Sequence, residues 1–202
     1  MDQTDFVINY FKNAKNKTFV DIGANDGVSW SNTLRLERDY EWTGICIEPH
    51  PTMFKRLASN RKAICLELAV NDKEGVLDFM TIEGTWEANM LSGLLENYDP
   101  RHRERREGEY RRYGGTASIN KVKCSPLHDI LKKNNIEKVD YLSIDTEGSE
   151  ENILKSIDFT AVNVELISAE VNYELQPLEA ILSSNGYVFL DKVHQDAFFR
   201  KS

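Results

Sequence analysis

The sequence has few cysteines and no long apolar run. Its three cysteines, Cys46, Cys65 and Cys124, lie far apart without CxxC spacing, which argues against a disulfide framework or a zinc site and predicts buried, reduced thiols. No stretch reaches the roughly 20 apolar residues that a membrane span needs. Asp2 and Asp5 stand where a secretory signal would carry basic and apolar residues. These absences predict a cytoplasmic protein with no membrane span.

Positive charge is also scarce. The chain carries 25 Lys and Arg against 33 Asp and Glu, a formal net charge of −8, so nucleic acid is not an expected partner. Its 202 residues, 41% hydrophobic and 29% charged, suit one domain that folds without crosslinks. We therefore expect a single domain over residues 1–202.

Apolar segments rich in β-branched residues alternate with helical patterns, which is typical of βαβ units in a parallel sheet. The main strands are predicted at 18–23, 43–48, 63–70, 139–145 and 164–171. Helices are predicted at 6–12, 30–38, 51–60, 125–134, 148–156 and 177–184. Short strands are expected at 76–82 and 119–123, and a closing hairpin at 187–193 and 197–200. The pattern predicts an α/β, Rossmann-like class I methyltransferase fold: a seven-stranded, mostly parallel sheet with an antiparallel C-terminal strand and helices on both faces.

The strongest local signal is the loop DIGANDG after the first strand. Its glycines would let backbone amides approach a ligand closely. A dinucleotide site would prefer GxGxxG, and the carboxylates Asp21 and Asp26 would repel a pyrophosphate but attract a cationic sulfonium. The loop therefore favours S-adenosylmethionine over NAD, with a purely structural acidic turn as the alternative. The predicted cofactor residues are Asp21, Gly23, Ala24, Asn25 and Gly27.

An acid closes the second strand. At this position in such folds, a carboxylate accepts hydrogen bonds from both hydroxyls of a ribose, and Glu48 fills it, followed by Pro49. The feature supports a nucleoside cofactor without choosing between S-adenosylmethionine and NAD. By topology, the end of the third strand would border the adenine through Ala69, Asn71 and Asp72, although an Asx turn explains the last two as well.

Four segments together resemble the FkbM-type methyltransferases: FVDIGANDG, GICIEPHP, LAVNDKEG and VDYLSIDTEGSEENIL. The resemblance implies a class I methyltransferase that O-methylates sugars, polyketides or related products, in some relatives joined to glycosyltransferase domains. By position, the resemblance implies that the cofactor is bound by Asp21, Gly23, Asn25, Gly27 and Glu48. It also implies that the family signature includes Asp145, Glu147 and Glu150. Asp26 stands where many relatives carry an apolar residue.

Asp145 closes the fourth strand, beside the point where open α/β sheets bind ligands. An alcohol that accepts a methyl group must lose its proton, and a carboxylate can act as the base directly or through a bound cation. Asp145 is the predicted base and a further cofactor contact, with Glu170 and Asn172 on the next strand as partners. Their oxygens would suit Mg²⁺ or Mn²⁺, with Asp145 and Glu170 as the ligands. Glu150 and Glu151 are interpreted as helix-capping acids.

An insertion at 84–118 separates the third and fourth main strands. Long ordered loops of this kind are often lids or binding loops. It contains apolar residues and a basic, aromatic run over 101–113, which would suit a phosphorylated glycan or nucleotide-linked acceptor, or RNA. The alternative is a solvated helix face whose glutamates pair with the arginines.

These observations predict an S-adenosylmethionine-dependent O-methyltransferase acting on a hydroxyl of a sugar, oligosaccharide or related small acceptor. Two alternatives stay open. One is an NAD-dependent oxidoreductase, and the other is a catalytically inactive binding module that keeps the fold.

Overall fold

The computed structural model describes residues 2–85, 88–89, 91–95, 101, 104, 107–108, 112 and 114–202. The helices with defined bounds are α1 (Gln3–Tyr10), α2 (Leu34–Tyr40), α3 (Pro51–Asn60), α4 (Leu127–Lys133), α5 (Glu150–Ser156) and α6 (Gln176–Ser184). The strands are β1 (Thr18–Ile22), β2 (Thr43–Ile47), β3 (Ile64–Leu66), β4 (Ala69–Val70), β5 (Gly75–Glu83), β6 (Gly93–Leu94), β7 (Thr116–Ser125), β8 (Val139–Ile144), β9 (Val164–Glu170), β10 (Tyr187–Val193) and β11 (Asp196–Lys201).

The main sheet has seven strands in the order β10-β11-β9-β8-β1-β2-β3. The neighbours from β3 to β9 pair in parallel, whereas β11 runs antiparallel to both β9 and β10. Every residue of β8 is buried, because a central parallel strand is covered on both faces. The predicted fold is confirmed, including the antiparallel strand near the C-terminus.

Helices cover the two faces of this sheet and enclose two separate apolar cores. Leu131 of α4, Leu154 of α5 and Leu182 of α6 pack into one core. Val7 and Leu36, from α1 and α2, pack into the other with α3. Among the described residues, no helix has both the length and the apolar character needed to cross a bilayer.

A second sheet, with the order β4-β7-β5-β6, was not predicted. The expected third strand at 63–70 divides between the two sheets, because β3 pairs with β2 whereas β4 pairs with β7. The two short strands expected at 76–82 and 119–123 form a longer antiparallel pair, β5 and β7, matched from Gly75↔Cys124 to Glu83↔Thr116. The insertion predicted at 84–118 therefore connects the end of β5 to the start of β7, and its residues 116–118 belong to β7.

The helix predicted at 30–38 begins later, at Leu34. Trp30 has a left-handed backbone with φ +54°, which an α-helix does not accept. The Ser31 hydroxyl then accepts a hydrogen bond from the Leu34 amide at 3.1 Å, as a capping side chain does. The segment before α2 is consequently a loop at the carboxyl edge of the main sheet.

The order of the main sheet reverses between β1 and β8. Ligands of open α/β sheets bind at such a switch point, outside the carboxyl ends of the strands. At that edge β1 ends at Ile22, β2 at Ile47, β8 at Ile144 and β9 at Glu170. Most of the predicted site residues follow or close these strands and are therefore brought to one edge.

Candidate functional site

A deep cleft opens at the switch point and holds about 980 Å³, including the space at its mouth. The strand ends of the main sheet form one wall, and residues of the second sheet, among them Phe79 and Leu94, form the other. Eight predicted cofactor residues line it: Asp21, Gly23, Ala24, Asn25, Glu48, Pro49, Ala69 and Asp145. The second sheet thus encloses a site that the main sheet would otherwise leave open.

Glu48 is buried at the base of this cleft, with 7% exposure. Its Oε2 accepts a hydrogen bond from the Asn25 amide at 2.8 Å, and its Oε1 accepts one from the His50 amide at 2.7 Å. These bonds fix the carboxylate and leave a second acceptor position on each oxygen. Burial raises the pKa of Glu48 to about 7. The carboxylate therefore keeps acceptor positions for two hydroxyl donors, and its contact with a ribose stays a prediction.

The amides of the glycine loop have a different role from the predicted one. Those of Gly23 and Ala24 both donate to the Ile47 carbonyl, at 3.0 and 3.1 Å, and that of Gly27 donates to Ala24 at 2.9 Å. The loop closes onto β2, so these amides, together with that of Asn25, are used within the fold. The expectation that they approach a ligand is corrected.

The two glycines are required by packing. Gly23 has φ +88°, and a Cβ added there would lie 1.7 Å from the Asp145 carbonyl oxygen, where β1 and β8 diverge. Gly27 has φ +77°, and a Cβ there would come within 2.7 Å of Leu57 and Arg61 side-chain atoms. Gly27 is not among the residues that line the cleft, so its predicted cofactor contact becomes a structural role.

Asp21 reaches the cleft from the buried end of β1. Its Oδ2 accepts a hydrogen bond from the Thr33 hydroxyl at 2.5 Å, and Arg61 in turn donates to that hydroxyl at 2.9 Å. Burial raises the pKa of Asp21, and the positive charge of Arg61 opposes that shift. Sequence reasoning missed Thr33 and Arg61, because no motif spacing ties a residue after α3 to a carboxylate in β1.

Asp26 is a turn residue. Its carboxylate accepts hydrogen bonds from the amides of Val28 and Ser29 at 2.9 and 2.7 Å, and from the Ser29 hydroxyl at 2.8 Å. It does not line the cleft. The structural alternative for an acidic turn therefore describes Asp26, whereas Asp21 faces the cavity.

Asn25 has a left-handed backbone with φ +48° at the cleft wall. Its side-chain oxygen is shielded from solvent and has no hydrogen-bond partner among the described residues. Buried polar atoms are normally paired in proteins, so this oxygen is suited to a donor on a ligand. The neighbouring wall is apolar, with Leu68, Val70 and Phe79, and suits a flat base. The residues present therefore fit an adenosine-bearing amino acid.

Asn71 and Asp72 lie outside the cleft. The chain leaves it at Val70, where β4 joins the second sheet, and the Asn71 amide donates to the Ser125 carbonyl at 3.2 Å. The Asp72 side chain is 57% exposed and lies 3.9 Å from the Lys73 ammonium group. Neither residue is among those that line the cleft, so their contact with adenine stays a prediction, and Leu68 and Val70 are the residues that line the cleft beside Ala69.

Three carboxylates meet where β8 and β9 end. Ligand oxygens of Asp145, Glu147 and Glu170 all lie within 4.8 Å of one another. Burial raises the pKa of Asp145 well above its usual value, and the charges of Glu170 and Glu147 raise it further. A carboxyl group with a raised pKa is a stronger base than an ordinary one. We call these three residues the carboxylate cluster.

Glu147 was predicted only as a family signature residue, yet it belongs to this cluster. It has φ +54°, and Gly148 follows with φ +115°. The resulting tight turn is held by Glu150, whose carboxylate accepts hydrogen bonds from the amides of Thr146 and Gly148 at 2.8 and 3.1 Å. Glu150 lies in the first turn of α5, as expected, but its carboxylate bonds the amides of the preceding turn and does not cap the helix. The DTEG spacing was the available signal for Glu147, because a left-handed turn brings residues i and i+2 together.

Asn172 donates through its side-chain amide to Glu170 Oε2 at 2.7 Å and lies 3.4 Å from Glu150 Oε2. A group that donates to a carboxylate orients it. Asn172 therefore orients the Glu170 carboxylate, and its role as a catalytic partner stays a prediction.

A second cavity, of about 460 Å³ including the space at its mouth, is lined by one residue of the carboxylate cluster. Asp145 and Glu147 line the cleft, whereas Glu170 lines this second cavity. The cavity is also lined by Glu150, Glu151, Asn172, Tyr173, Glu174 and Arg101. Residues of the cluster therefore line two different cavities.

The predicted lid is described only in part. Asn89, Ser92 and Gly93 line the cleft, so the start of the insertion borders the cofactor side. Arg101 lies at the second cavity, 3.2 Å from Glu174. The apolar residues Trp86 and Met90, and most of the basic run over 101–113, lie outside the described residues.

The strand order and the cleft at its switch point define a class I methyltransferase fold. A methyltransferase FkbM from Methylobacillus flagellatus KT shares it with a TM-score of 0.53 and 13% identity over 92% of this chain. The METTL16 MTase domain has a TM-score of 0.53 and 12% identity over 97% of this chain. The N-terminal domain of human METTL16, solved in complex with SAH, has a TM-score of 0.50 and 12% identity over 96% of this chain. Identities this low show the fold alone.

The particular family follows from the sequence. The model of the methyltransferase FkbM domain matches residues 21–189, and the chain belongs to this family. Among proteins with curated descriptions, none matches the chain in sequence. The chain spans 43% of the M. flagellatus protein, 62% of the METTL16 MTase domain and 66% of the human METTL16 domain.

Proposed function

We propose that this protein is an S-adenosylmethionine-dependent O-methyltransferase acting on a hydroxyl of a sugar, oligosaccharide or related small acceptor. The observation that carries the proposal is the pairing of two features across one cleft. Glu48 is held ready to accept two hydroxyl donors, and Asp145, with its raised pKa, stands on the opposite side of the switch point. Family membership supports methyl transfer over the NAD-dependent oxidoreductase.

The chain's residues would divide the work of binding. Glu48 would hold the ribose hydroxyls, and the apolar wall of Leu68, Ala69 and Val70 would contact the adenine. The unpartnered Asn25 oxygen would accept a hydrogen bond from the amino group of the methionine part. Asp21, buried with Thr33 and Arg61 behind it, would add negative charge near the sulfonium.

Methyl transfer needs alignment and the removal of a proton. In the proposed step the acceptor oxygen forms a bond to the methyl carbon while the carbon–sulfur bond breaks, which leaves neutral S-adenosylhomocysteine. The acceptor proton passes to Asp145, whose raised pKa suits it to receive a proton near neutral pH. Alignment of the oxygen with the methyl group supplies much of the acceleration. Asp145 is the catalytic residue in this account, and Asn172 positions Glu170 beside it.

The carboxylate cluster offers a second route to the same deprotonation. Three carboxylates within 4.8 Å form a set of hard oxygen donors that suits Mg²⁺ or Mn²⁺. A cation held by Asp145, Glu147 and Glu170 would lower the pKa of a bound hydroxyl. Activity that is lost on chelation and restored by Mg²⁺ would favour this route. Activity that persists in a chelator would leave Asp145 as the direct base.

The proposal is tested by incubating the protein with methyl-labelled S-adenosylmethionine and a panel of glycans and small hydroxylated acceptors. Label should pass to an acceptor oxygen, and the product should resist the mild hydrolysis that cleaves methyl esters. A folded protein that binds S-adenosylhomocysteine but labels no acceptor would favour the inactive binding module. Binding of NAD in place of S-adenosylhomocysteine would favour the oxidoreductase. Association with glycosyltransferase domains remains a proposal from the family, tested by purification of the native assembly.

A further inference from the structure

A chain of buried polar side chains runs from the cofactor cleft into the protein. Asp21 and Thr33 are 3% and 0% exposed, and the side chain of Arg61 is fully buried. The Thr33 hydroxyl donates to Asp21 Oδ2 at 2.5 Å, and Arg61 Nη2 donates to the Thr33 oxygen at 2.9 Å. Asp21 lines the cleft, whereas Thr33 and Arg61 lie behind it. We call these three residues the arginine relay.

The direction of these hydrogen bonds favours an ionised Asp21. A guanidinium group only donates, so the Thr33 oxygen accepts from Arg61 and directs its own proton to Asp21. The Asp21 oxygen must therefore accept, as a carboxylate does with both oxygens. Burial raises the pKa of Asp21, whereas the charge of Arg61 and the hydrogen bond from Thr33 limit that rise.

The charges around the relay do not balance. Arg61 Nε lies 3.3 Å from Glu37 Oε2, and the Glu37 side chain is only 9% exposed, so two carboxylates share one guanidinium group. Among the described residues, Thr33 is the one hydrogen-bond donor to the Asp21 carboxylate, which leaves its Oδ1 without a donor. A buried charge without a full partner is costly. A cationic ligand in the cleft would supply the missing charge.

Arg61 is held in place by other contacts. Its Nη1 donates to the Ser31 hydroxyl at 3.2 Å and to the Gly27 carbonyl at 3.4 Å. Its guanidinium group also lies over the Phe19 ring, 5.5 Å from the centroid. These contacts keep the positive charge behind Thr33, so the side of Asp21 that faces the cleft stays available to a ligand.

Asp21 lies beside the proposed base. It is paired with Ser143 in the parallel β1–β8 register, two residues before Asp145. At the next turn of the chain, a Cβ added to Gly23 would lie 1.7 Å from the Asp145 carbonyl oxygen. Methyl transfer to an oxygen that Asp145 deprotonates requires the sulfur of the methyl donor to lie near Asp145. The sulfur would then also lie near Asp21.

We infer that Thr33 and Arg61 are positioning residues that keep Asp21 anionic, so that the cleft binds a methyl donor with a positively charged sulfur more tightly than the neutral product. This inference rests on the proposed function and adds a selectivity to its cofactor site. Methyl transfer removes the charge from the sulfur, so the attraction to Asp21 ends when the product forms. The relay thereby favours the exchange of S-adenosylhomocysteine for S-adenosylmethionine.

The test is isothermal titration of the full chain with three nucleosides: sinefungin, S-adenosylhomocysteine and methylthioadenosine. Sinefungin carries an ammonium group at the position of the sulfonium, S-adenosylhomocysteine is neutral there, and methylthioadenosine lacks the amino-acid part. Sinefungin should bind the wild type about tenfold more tightly than S-adenosylhomocysteine, as one charge-assisted hydrogen bond provides. Equal binding of these two would overturn the inference, and this comparison needs no variant to fold.

Variants locate the preference in the relay. Thr33→Val keeps the shape of the side chain and removes its hydroxyl, so the pKa of Asp21 should rise. The preference for sinefungin should then fall about fivefold at about pH 7 and return as the pH rises. Thr33→Ser restores the hydroxyl and should restore the preference. A folded Thr33→Val protein with the full preference at every pH would overturn the role of the relay.

The matched control is Thr4→Val. The Thr4 hydroxyl is also buried and donates to the same loop, at the Asn32 carbonyl at 3.2 Å. Thr4 is not among the residues that line the cleft, and its hydrogen bond does not involve a carboxylate. This variant should keep the wild-type preference. A loss equal to that in Thr33→Val would show that the loop, and not the charge of Asp21, is responsible.

Other ionisable groups face Asp21 and are controlled in the comparison. Cys46 and Glu48 act on it from β2 and the residue after it, and Tyr141 acts from β8. Burial raises the pKa values of Cys46 and Tyr141, so both stay neutral near pH 7. The titration of Glu48 cancels, because the three nucleosides share a ribose. Asp145 is present in every protein compared, so each variant is measured against the wild type at each pH.

The pattern across the nucleosides separates the remaining outcomes. An equal, pH-independent loss for all three in Thr33→Val would indicate a purely structural role and overturn the inference. A loss confined to the difference between S-adenosylhomocysteine and methylthioadenosine would place Asp21 at the amino group and overturn the selectivity for sulfur. A wild-type protein that binds none of the three would contradict the proposed function itself.

Discussion

The cofactor cleft and the second cavity are each lined by part of the carboxylate cluster, yet their linings differ in kind. The cleft has a long apolar wall and a few placed polar groups, with Glu48 tied to two backbone amides. The described lining of the second cavity includes four glutamates and Arg101, which lies 3.2 Å from Glu174. The cleft therefore combines apolar contact with a few hydrogen-bonding groups, whereas the described part of the second cavity presents mainly charged groups.

The largest expected effect is the fall in turnover when the proposed base is replaced. Asp145→Asn keeps the size of the side chain and removes its ability to accept a proton. We expect kcat to fall about 10²- to 10⁴-fold, while the affinity for S-adenosylhomocysteine stays close to that of the wild type. Single-turnover kinetics and calorimetry measure the two quantities. A variant with full turnover would show that Asp145 is not the base and would contradict the role proposed for it.

The next effect concerns the fold of the cleft. In Gly23→Ala, the new Cβ would collide with the Asp145 carbonyl oxygen at 1.7 Å, on a backbone with φ +88°. We expect the free energy of unfolding to fall by about 3 kcal/mol or more, measured by denaturant titration. Gly75→Ala is the control, because its Cβ would meet only Cys124 Sγ at 3.7 Å. Equal stability of the two variants would contradict the packing role given to Gly23.

The cleft's own selectivity depends on Glu48. Glu48→Ala should weaken S-adenosylhomocysteine binding by about 1.5 to 3 kcal/mol, the range for a hydrogen bond to a charged group. Calorimetry measures the affinity of the variant and of the wild type. Unchanged affinity would remove Glu48 from the cofactor site.

The pH dependence of cofactor binding sharpens this point. Burial raises the pKa of Glu48 from 4.5 to about 7 in the folded protein. The contribution of Glu48 to folding stability is therefore fully present below the pKa of the unfolded chain, and it is lost as the pH rises through the pKa of the folded protein. Binding has the opposite sign, because ribose hydroxyls donate to the ionised carboxylate. Affinity should rise about tenfold from about pH 6 to about pH 8. Glu48→Gln should abolish this rise, and a profile unchanged by that variant would contradict it.

The last substitution is expected to change neither cofactor affinity nor stability measurably. Asp72→Ala should leave cofactor affinity and stability within about 0.5 kcal/mol of the wild type, because exposed residues away from a site change little. The sequence placed Asp72 beside the adenine, and the structure places it outside the cleft. A clear loss of affinity in this variant would indicate that Asp72 contacts the adenine, as the sequence predicts, and would contradict the placement of the adenine against Leu68 and Val70.

The sequence predicts the cleft better than the second cavity for a physical reason. Glu48 and Asp145 stand at the ends of buried apolar strands, and parallel strands bring such ends to one edge of a sheet. Local pattern alone therefore places these residues together. The same reasoning predicts the mostly parallel sheet with an antiparallel strand near the C-terminus, whereas the strand order comes from the structure.

Other features depend on contacts that no local pattern encodes. Arg61, which follows α3, donates a hydrogen bond to Thr33, which precedes α2. Leu68 lines the cleft only because the chain passes from β3 in one sheet to β4 in another. The role of Gly23 was also misjudged: the sequence shows that a glycine is needed, whereas only the structure shows that the Asp145 carbonyl, not a ligand, fills the space. The acidic second cavity combines residues from β9, α5 and the distant Arg101.

A crystal structure with S-adenosylhomocysteine tests the central claim most directly. The account predicts that the ribose hydroxyls contact the Glu48 carboxylate and that the adenine lies against Leu68 and Val70. Density for the nucleoside in the second cavity, or an empty cleft at saturating ligand, would contradict it.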